Sequence, residues 1–334
     1  MPSLGLSSKG SFEAEFLQVV GGIAPGSGQQ EFDTPMAIAV DDEDYLYIAD
    51  TVNERVQKLD PAGTFVLSFE ADAGEPIGES PMGMVPFPTR GEIRTPVAIT
   101  ADRAGNVWVA NDVIHGGWNV RNVLKFSRDG RWLATIGRAG HGAGEFYGPR
   151  GVAVDPEGFV YVADDYNSRI QKFAHDGRVV DVWHDDTAEV LDRNWYHGLA
   201  LGPDGNLYVT ATNTDRLQKR SRSGEIIREY RRAGDVWRRE PQDLSDPHGV
   251  VVSDDGFVIV ADTGDLRSGG AKAKHRIVIF DLECNFLGSF GKKGSHTGEF
   301  LFPEDVAIDS RGCVWVVEAG NHRVQRFRLT PAQV

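Results

Sequence analysis

Three short phrases place reactive side chains at one recurring position: Tyr196-His-Gly-Leu199, Pro247-His-Gly-Val250 and Pro303-Glu-Asp-Val306. The residue after the opening Pro or Tyr is His197, His248 or Glu304. Two imidazoles and a carboxylate are ligand types for a divalent ion, with zinc first and iron, manganese or calcium as alternatives. The same groups are also general acids and bases. Followed through the rest of the chain, this position is filled by Met36, Val97 and Arg150. Arg150 can grip a substrate carboxylate at two points. Tyr147 and Tyr196, beside these positions, are candidates to move a proton. The competing reading is that the ring holds only water and that Glu304 pairs with Arg150 or a histidine. His115, His141, His184, His275, His296 and His322 are spread over loops, and His175 sits in a tight turn.

The elements that position these residues form a repeat. The clearest unit runs from Gly148-Pro-Arg-Gly-Val-Ala-Val-Asp155 through Val160-Tyr-Val-Ala-Asp164 to Asn167-Ser-Arg-Ile-Gln-Lys-Phe173. Cognate units open at Pro35, Pro96, Pro149, Tyr196, Pro247 and Pro303, within blades starting near 32, 92, 146, 195, 244 and 300. Each unit reads as four short strands, with alternation clearest in Arg169-Ile-Gln-Lys-Phe173. Tight turns such as Asp155-Pro-Glu-Gly158 use glycine for its positive φ. Six such units predict an all-β, six-bladed β-propeller spanning 1–334 as one domain. The last unit lacks its fourth strand. Phe16-Leu-Gln-Val-Val-Gly21 matches Phe286-Leu-Gly-Ser-Phe-Gly291, so the N-terminal segment is expected to complete the last blade and hide two sheet edges. Phe32, Phe146 and Phe300 recur in a Glu-Phe pair and read as packing residues.

Length variation falls on one face. The links and second-to-third-strand loops at 70–94, 111–122, 184–194, 231–246 and 262–275 are long, whereas the opposite turns are uniformly short. Loop growth on one side of a rigid scaffold marks a working face. Phe87, Trp118, Trp195, Tyr196 and Trp237 are candidates for an apolar cup there. The segment from Glu70 to Arg94, with Met82, Met84, Val85 and Phe87 at its centre, is a candidate lid.

Composition narrows the partners. Lys and Arg number 35 against 49 Asp and Glu, a net charge of −14. That balance disfavours nucleic acid, which needs a basic face. No apolar run is long enough to span a membrane, and Met1 to Gly10 carries no secretory signal. Two cysteines, Cys284 and Cys313, give neither a disulfide framework nor metal spacing, and a cytoplasmic location is expected. Phosphate loops, nucleophile elbows and dinucleotide fingerprints are absent. A small-molecule substrate remains as the expected partner, and the oligomeric state is left open.

The units resemble NHL repeats, on Pro-x-Gly-Val-Ala-Val-Asp, Val-Tyr-Val-Ala-Asp and Asn-x-Arg-Ile/Val-Gln-x-Phe, as in Asn321-His-Arg-Val-Gln-Arg-Phe327. The resemblance covers about residues 11 to 330. The His-Gly phrases at His197 and His248 are similar to those of peptidyl-α-hydroxyglycine α-amidating lyase, a propeller enzyme with a channel zinc held by histidines. That resemblance implies a channel metal at His197 and His248, which the ring position extends to Glu304, and a catalytic arginine at Arg169 in Asn167-Ser-Arg-Ile170. Streptogramin lyase is a second propeller enzyme of this general type. The expected function is a metal-dependent lyase or hydrolase acting on a small polar or carboxylated substrate in the channel mouth. The alternative is a non-catalytic NHL propeller that binds a protein or ligand on its elaborated face. A calcium-dependent lactonase would want more channel carboxylates than Glu304.

Overall fold

Each unit folds into an antiparallel four-stranded sheet, and the sheets stand as blades around a central channel. The computed structural model describes residues 12–69, 92–112, 120–184, 194–231, 243–264 and 274–331. Blade 3 shows the plan. Pro149–Val154 lines the channel, followed outward by Val160–Asp164, Arg169–Phe173 and Val179–His184. The inner strands of the other blades are Pro35–Val40, Pro96–Ala101, Tyr196–Leu201, Pro247–Val252 and Pro303–Ile308. Apolar residues alternate on both faces of the strands, so the core lies between neighbouring blades. Blades 2 and 3, for example, share Trp108, Ile136, Phe146, Val152 and Val162. Phe32, Phe146 and Phe300 are completely buried, as packing residues should be.

Two polar devices explain the repeated sequence. At the first turn, the Asp155 carboxylate accepts the Tyr161 hydroxyl at 2.9 Å, and Lys172 Nζ lies 5.2 Å from the centre of that ring. Asp41 with Tyr47, Asp102 with Trp108, Asp204 with Tyr208 and Asp309 with Trp315 repeat the bond. At the far end, Arg169 Nε donates to Asp164 at 2.8 Å, and its other nitrogens donate to the carbonyls of His141, Gly142 and Glu145. Gln171 adds a 2.7 Å bond to the Glu145 carbonyl. Arg55 with Gln57 and Arg323 with Gln325 clip the links into their own blades in the same way. These buried bonds satisfy loop carbonyls that would otherwise be stranded.

The ring is closed by the N-terminal strand. Phe12–Gly21 pairs antiparallel with Arg323–Pro331, from Phe12 opposite Pro331 to Gly21 opposite Arg323. The strand starts four residues before the expected Phe16. On the channel side, Asp305 of blade 6 accepts the Ile38 amide of blade 1 at 3.1 Å. Cys284 and Cys313 are buried free thiols. Among the described residues, no helix is long and apolar enough to cross a membrane.

Candidate functional site

The ring residues reach the channel because every inner strand breaks register at its start. The irregularity falls between Pro149 and Gly151, leaving Arg150 out of the ladder; Met36, Val97 and Glu304 occupy the same place. In blades 4 and 5 it is wider, from Tyr196 to Leu199 and from Pro247 to Val250. A bulge of this kind re-aims a side chain. Here it turns Arg150, His197, His248 and Glu304 toward one cavity of about 270 Å³. The cavity continues down the channel between apolar walls that end at Val40, Val154, Leu201, Val252 and Ile308. Close approach of the strands requires small residues below the ring: a Cβ on Gly151 would lie 2.1 Å from the His197 carbonyl oxygen.

The polar groups at the mouth are joined in pairs. His248 Nδ1 donates to Glu304 Oε2 at 2.6 Å, and the His197 ring centre stands 4.6 Å from that of His248. His197 Nε2 donates to Asp165 Oδ2 at 3.2 Å. Arg150 Nη2 is 3.1 Å from Asp112 Oδ2, whose other oxygen accepts Arg121 Nε at 2.9 Å. The two imidazoles are driven apart in basicity. Burial pulls His197 below its ordinary value, against the Asp165 carboxylate, and neighbouring His248 adds to the fall. Burial also acts against charge on His248, but the Glu304 charge and hydrogen bond outweigh it, and His248 rises. Burial likewise opposes charge on Glu304, yet His248 holds that carboxyl below its ordinary range.

Asp112 and Asp165 were not singled out from the sequence, although a signal for them existed. They follow the last residue of the repeated Val-Tyr-Val-Ala-Asp strand. At that position blades 1, 4 and 5 carry Thr51, Thr212 and Thr263, which donate to the carbonyls of Pro96, Pro247 and Pro303 in the next blade. Blades 2 and 3 substitute aspartates, and these reach the ring side chain of the next blade instead of its backbone. Asp305 was also missed. It lines the channel one residue below Glu304, and burial pushes its carboxyl up to about 7 although the amides of Ile38 and Val306 donate to it. A Cβ on Gly249 would sit 2.0 Å from Asp305 Oδ1, so that glycine makes room for the carboxylate.

Other expected residues stand elsewhere. Tyr196 is completely buried, and its hydroxyl accepts Arg220 Nη2 at 2.8 Å. It packs among residues of blades 3 and 4 and does not face the channel, so a proton-moving role there is corrected. Arg169 is corrected likewise, because all its bonds serve the clip described above. Tyr147 lies outside the cavity lining, stacked over Arg121 at 4.2 Å. His275 is buried at a blade junction, where its Nδ1 accepts the Phe302 amide at 3.1 Å and burial brings its pKa to about 4. His322 accepts the Thr34 amide at 3.0 Å in the same way. His197, His248 and Glu304 do come together. As disposed, however, they do not fit a metal ion: His248 Nδ1 and Glu304 Oε2 bond each other, and His197 Nε2 bonds Asp165. No three His, Cys, Asp or Glu side chains among the described residues are arranged to hold one. Met82, Phe87, Trp118, Trp237, His115 and the candidate lid at 70–91 lie outside the described residues.

Comparison with known proteins agrees with this architecture. The NHL repeat family matches residues 146–173, 244–267 and 300–327. Peptidyl-glycine alpha-amidating monooxygenase B of Xenopus laevis is 36% identical over 104 residues, which is 29% of this chain and 11% of that protein. NHL repeat-containing protein 3 of Homo sapiens is 34% identical over 70 residues, 20% of each. The chain thus spans a fifth or less of the length of these curated relatives. Among solved structures, a streptogramin B lyase superposes with a TM-score of 0.58 at 14% identity, covering 96% of this chain and 98% of that one. A gluconolactonase from Xanthomonas campestris gives a TM-score of 0.58 at 12% identity, covering 99% and 98%. At such identities the likeness is one of fold. The chain is a six-bladed β-propeller, and three of its blades match the NHL repeat directly.

Proposed function

We propose that the channel mouth is the active site of a lyase acting on a small carboxylated molecule. The carrying observation is the contact between His197 and His248, 4.6 Å apart, one tied to Asp165 and the other to Glu304, beside Arg150. Two titratable groups pushed apart in basicity divide into a base and an acid. His197 is the neutral one. Its Nε2–H is donated to Asp165, so Nδ1 keeps a lone pair to take a proton. His248 is the more basic one, bonded to Glu304 through Nδ1 and facing the Asp246 carboxylate 3.9 Å from Nε2, and its Nε2–H is the proton offered to a leaving group. Arg150 grips the substrate carboxylate and stabilises the negative charge that develops next to it when the α-proton leaves. The bond from the β-carbon to its leaving group then breaks, and an α,β-unsaturated carboxylate remains. The same pair would activate water in a hydrolase, which is the other class compatible with the lyase and lactonase folds among the structural neighbours.

The test is a panel of carboxylates bearing a β-oxygen or β-nitrogen leaving group. It is followed by the ultraviolet absorbance of the unsaturated product and by α-proton exchange in deuterated water. Wild-type protein should turn over at least one member. His197→Ala should abolish both exchange and product, and His248→Ala should slow product release by about 10²-fold or more while sparing exchange. Binding of carboxylates without exchange, elimination or hydrolysis would replace this reading with that of a ligand-binding propeller.

A further inference from the structure

Only three Phe, Tyr or Trp side chains among the described residues are classed as exposed: Tyr147, Tyr166 and Trp195, at 40%, 38% and 38%. They are not scattered. The Tyr147 and Tyr166 rings are 5.6 Å apart at 62°, and those of Tyr166 and Trp195 are 5.9 Å apart at 78°. Perpendicular neighbours form a corner. A flat ring laid in it meets one aromatic face and one aromatic edge, both favourable arrangements. Exposing three large rings side by side has a cost that blade packing does not explain, since each blade already has its own buried aromatics.

The corner is built from residues that adjoin the mouth groups in sequence. Tyr147 precedes Arg150 by three residues, Tyr166 directly follows Asp165, and Trp195 precedes His197 by two, roughly 7 Å along an extended strand. It is also held in place. The Tyr166 amide donates to the Tyr147 carbonyl at 3.2 Å, within a short 3-10 turn from Asp165 to Asn167. Gly148, at φ +113°, leaves room for the Tyr166 ring, which a Cβ would meet at 2.8 Å. His141 packs on Tyr147 at 4.8 Å and contacts Asn167 at 2.7 Å. Beneath Tyr147, Arg121 and Arg150 both pair with the Asp112 carboxylate. Arg150 itself lines the cavity, with its Nη2 3.1 Å from Asp112 Oδ2.

We infer that blades 3 and 4 carry a subsite for a flat aromatic ring, and that the molecule received at the channel mouth is an aromatic carboxylate with its acid group on Arg150. This rests on the reading of Arg150 as a carboxylate anchor but needs no turnover to be tested. The probes are 3-phenylpropanoate, 3-cyclohexylpropanoate and propanoate, titrated calorimetrically into the full chain. Phenylpropanoate should bind about tenfold more tightly than the cyclohexyl analogue, because only the aromatic ring has face and edge complementarity. Tyr166→Ala combined with Trp195→Ala should erase that gap, leave propanoate affinity unchanged and leave melting unchanged, as expected of exposed side chains. Trp195→Phe should retain the gap and serves as a check if the double variant folds poorly. Arg150→Ala should weaken all three ligands. Equal affinities for the phenyl and cyclohexyl probes, or a gap that survives the double variant, would overturn the subsite. An intact gap with no effect of Arg150→Ala would overturn the carboxylate anchor while leaving an aromatic corner.

Discussion

His248 Nδ1 and Glu304 Oε2 stand 2.6 Å apart across the junction of blades 5 and 6. The bond joins residues far apart in the chain that occupy the same position in successive repeats. It does two things: it engages Nδ1 of the imidazole, and it makes His248 the more basic member of the histidine pair.

Replacing Glu304 by Gln keeps an acceptor but removes the charge. Burial is then opposed by the Asp246 carboxylate without the Glu304 charge, and the His248 pKa should fall. Imidazole titration by NMR reads this directly. The sign for stability follows. The contribution of a raised histidine is full below about 6.5 and is lost as pH rises through its folded value. The contribution of the depressed Glu304 is present above 4.5 and is lost as pH falls through its folded value. Glu304→Gln should therefore cost most near pH 5 to 6.5, by roughly 2 kcal/mol. A uniform loss at all pH values would contradict the pairing.

Asp305 behaves in the opposite sense to Glu304. Its folded value is raised from 3.8 to about 7, so between these values the unfolded chain is ionised at this residue and the folded chain is not. Stability from this group falls as pH rises through that window and levels off above it. The melting advantage of wild type over Asp305→Asn should shrink from pH 4 to pH 7, by at most about 4 kcal/mol. Parallel curves for the two proteins would show that Asp305 is ionised throughout.

Arg169 and Arg150 should separate cleanly. Arg169→Ala removes the cation paired with buried Asp164 and the side-chain donor to the His141 and Gly142 carbonyls, and it should cost about 3 kcal/mol in denaturant unfolding with little change in carboxylate affinity. Arg150→Ala leaves Asp112 paired with Arg121. It should lower carboxylate affinity by about tenfold or more with little loss of stability. A reversal would return Arg169 to the list of catalytic candidates.

Deleting residues 1–21 removes the strand paired with Arg323–Pro331 and opens an edge on blade 6. Cooperative unfolding should be lost or aggregation should appear. A truncated protein that melts like the full chain would refute closure by this strand.

Because the mouth residues are bonded to one another, dialysis against a chelator should leave melting temperature and carboxylate binding unchanged. A loss of either that zinc, iron, manganese or calcium restores would show that His248 releases Glu304 to bind an ion. That result would reinstate the metal expected from the ring.

The repeat itself was legible in the sequence, and with it the blade count, the closing strand and the membership of the ring. Turn glycines, alternating strands and the Asp-Arg-Gln clip act locally and recur in each unit, so their spacing exposes them. The same regularity misled where a repeat residue was given a catalytic role. Arg169 belongs to the clip, and Tyr196 turns into the core because its strand alternates. The reactive character of the site was not local. Whether two histidines and a glutamate surround an ion or bond to one another depends on distances between blades, which no single repeat encodes. Asp112 and Asp165 could have been flagged as departures from the threonine found in blades 1, 4 and 5. Their reach to Arg150 and His197 depends on how closely neighbouring blades pack. The contrast between His197 and His248 likewise arises from burial and from partners in adjacent blades, and those interactions exist only once the ring has closed.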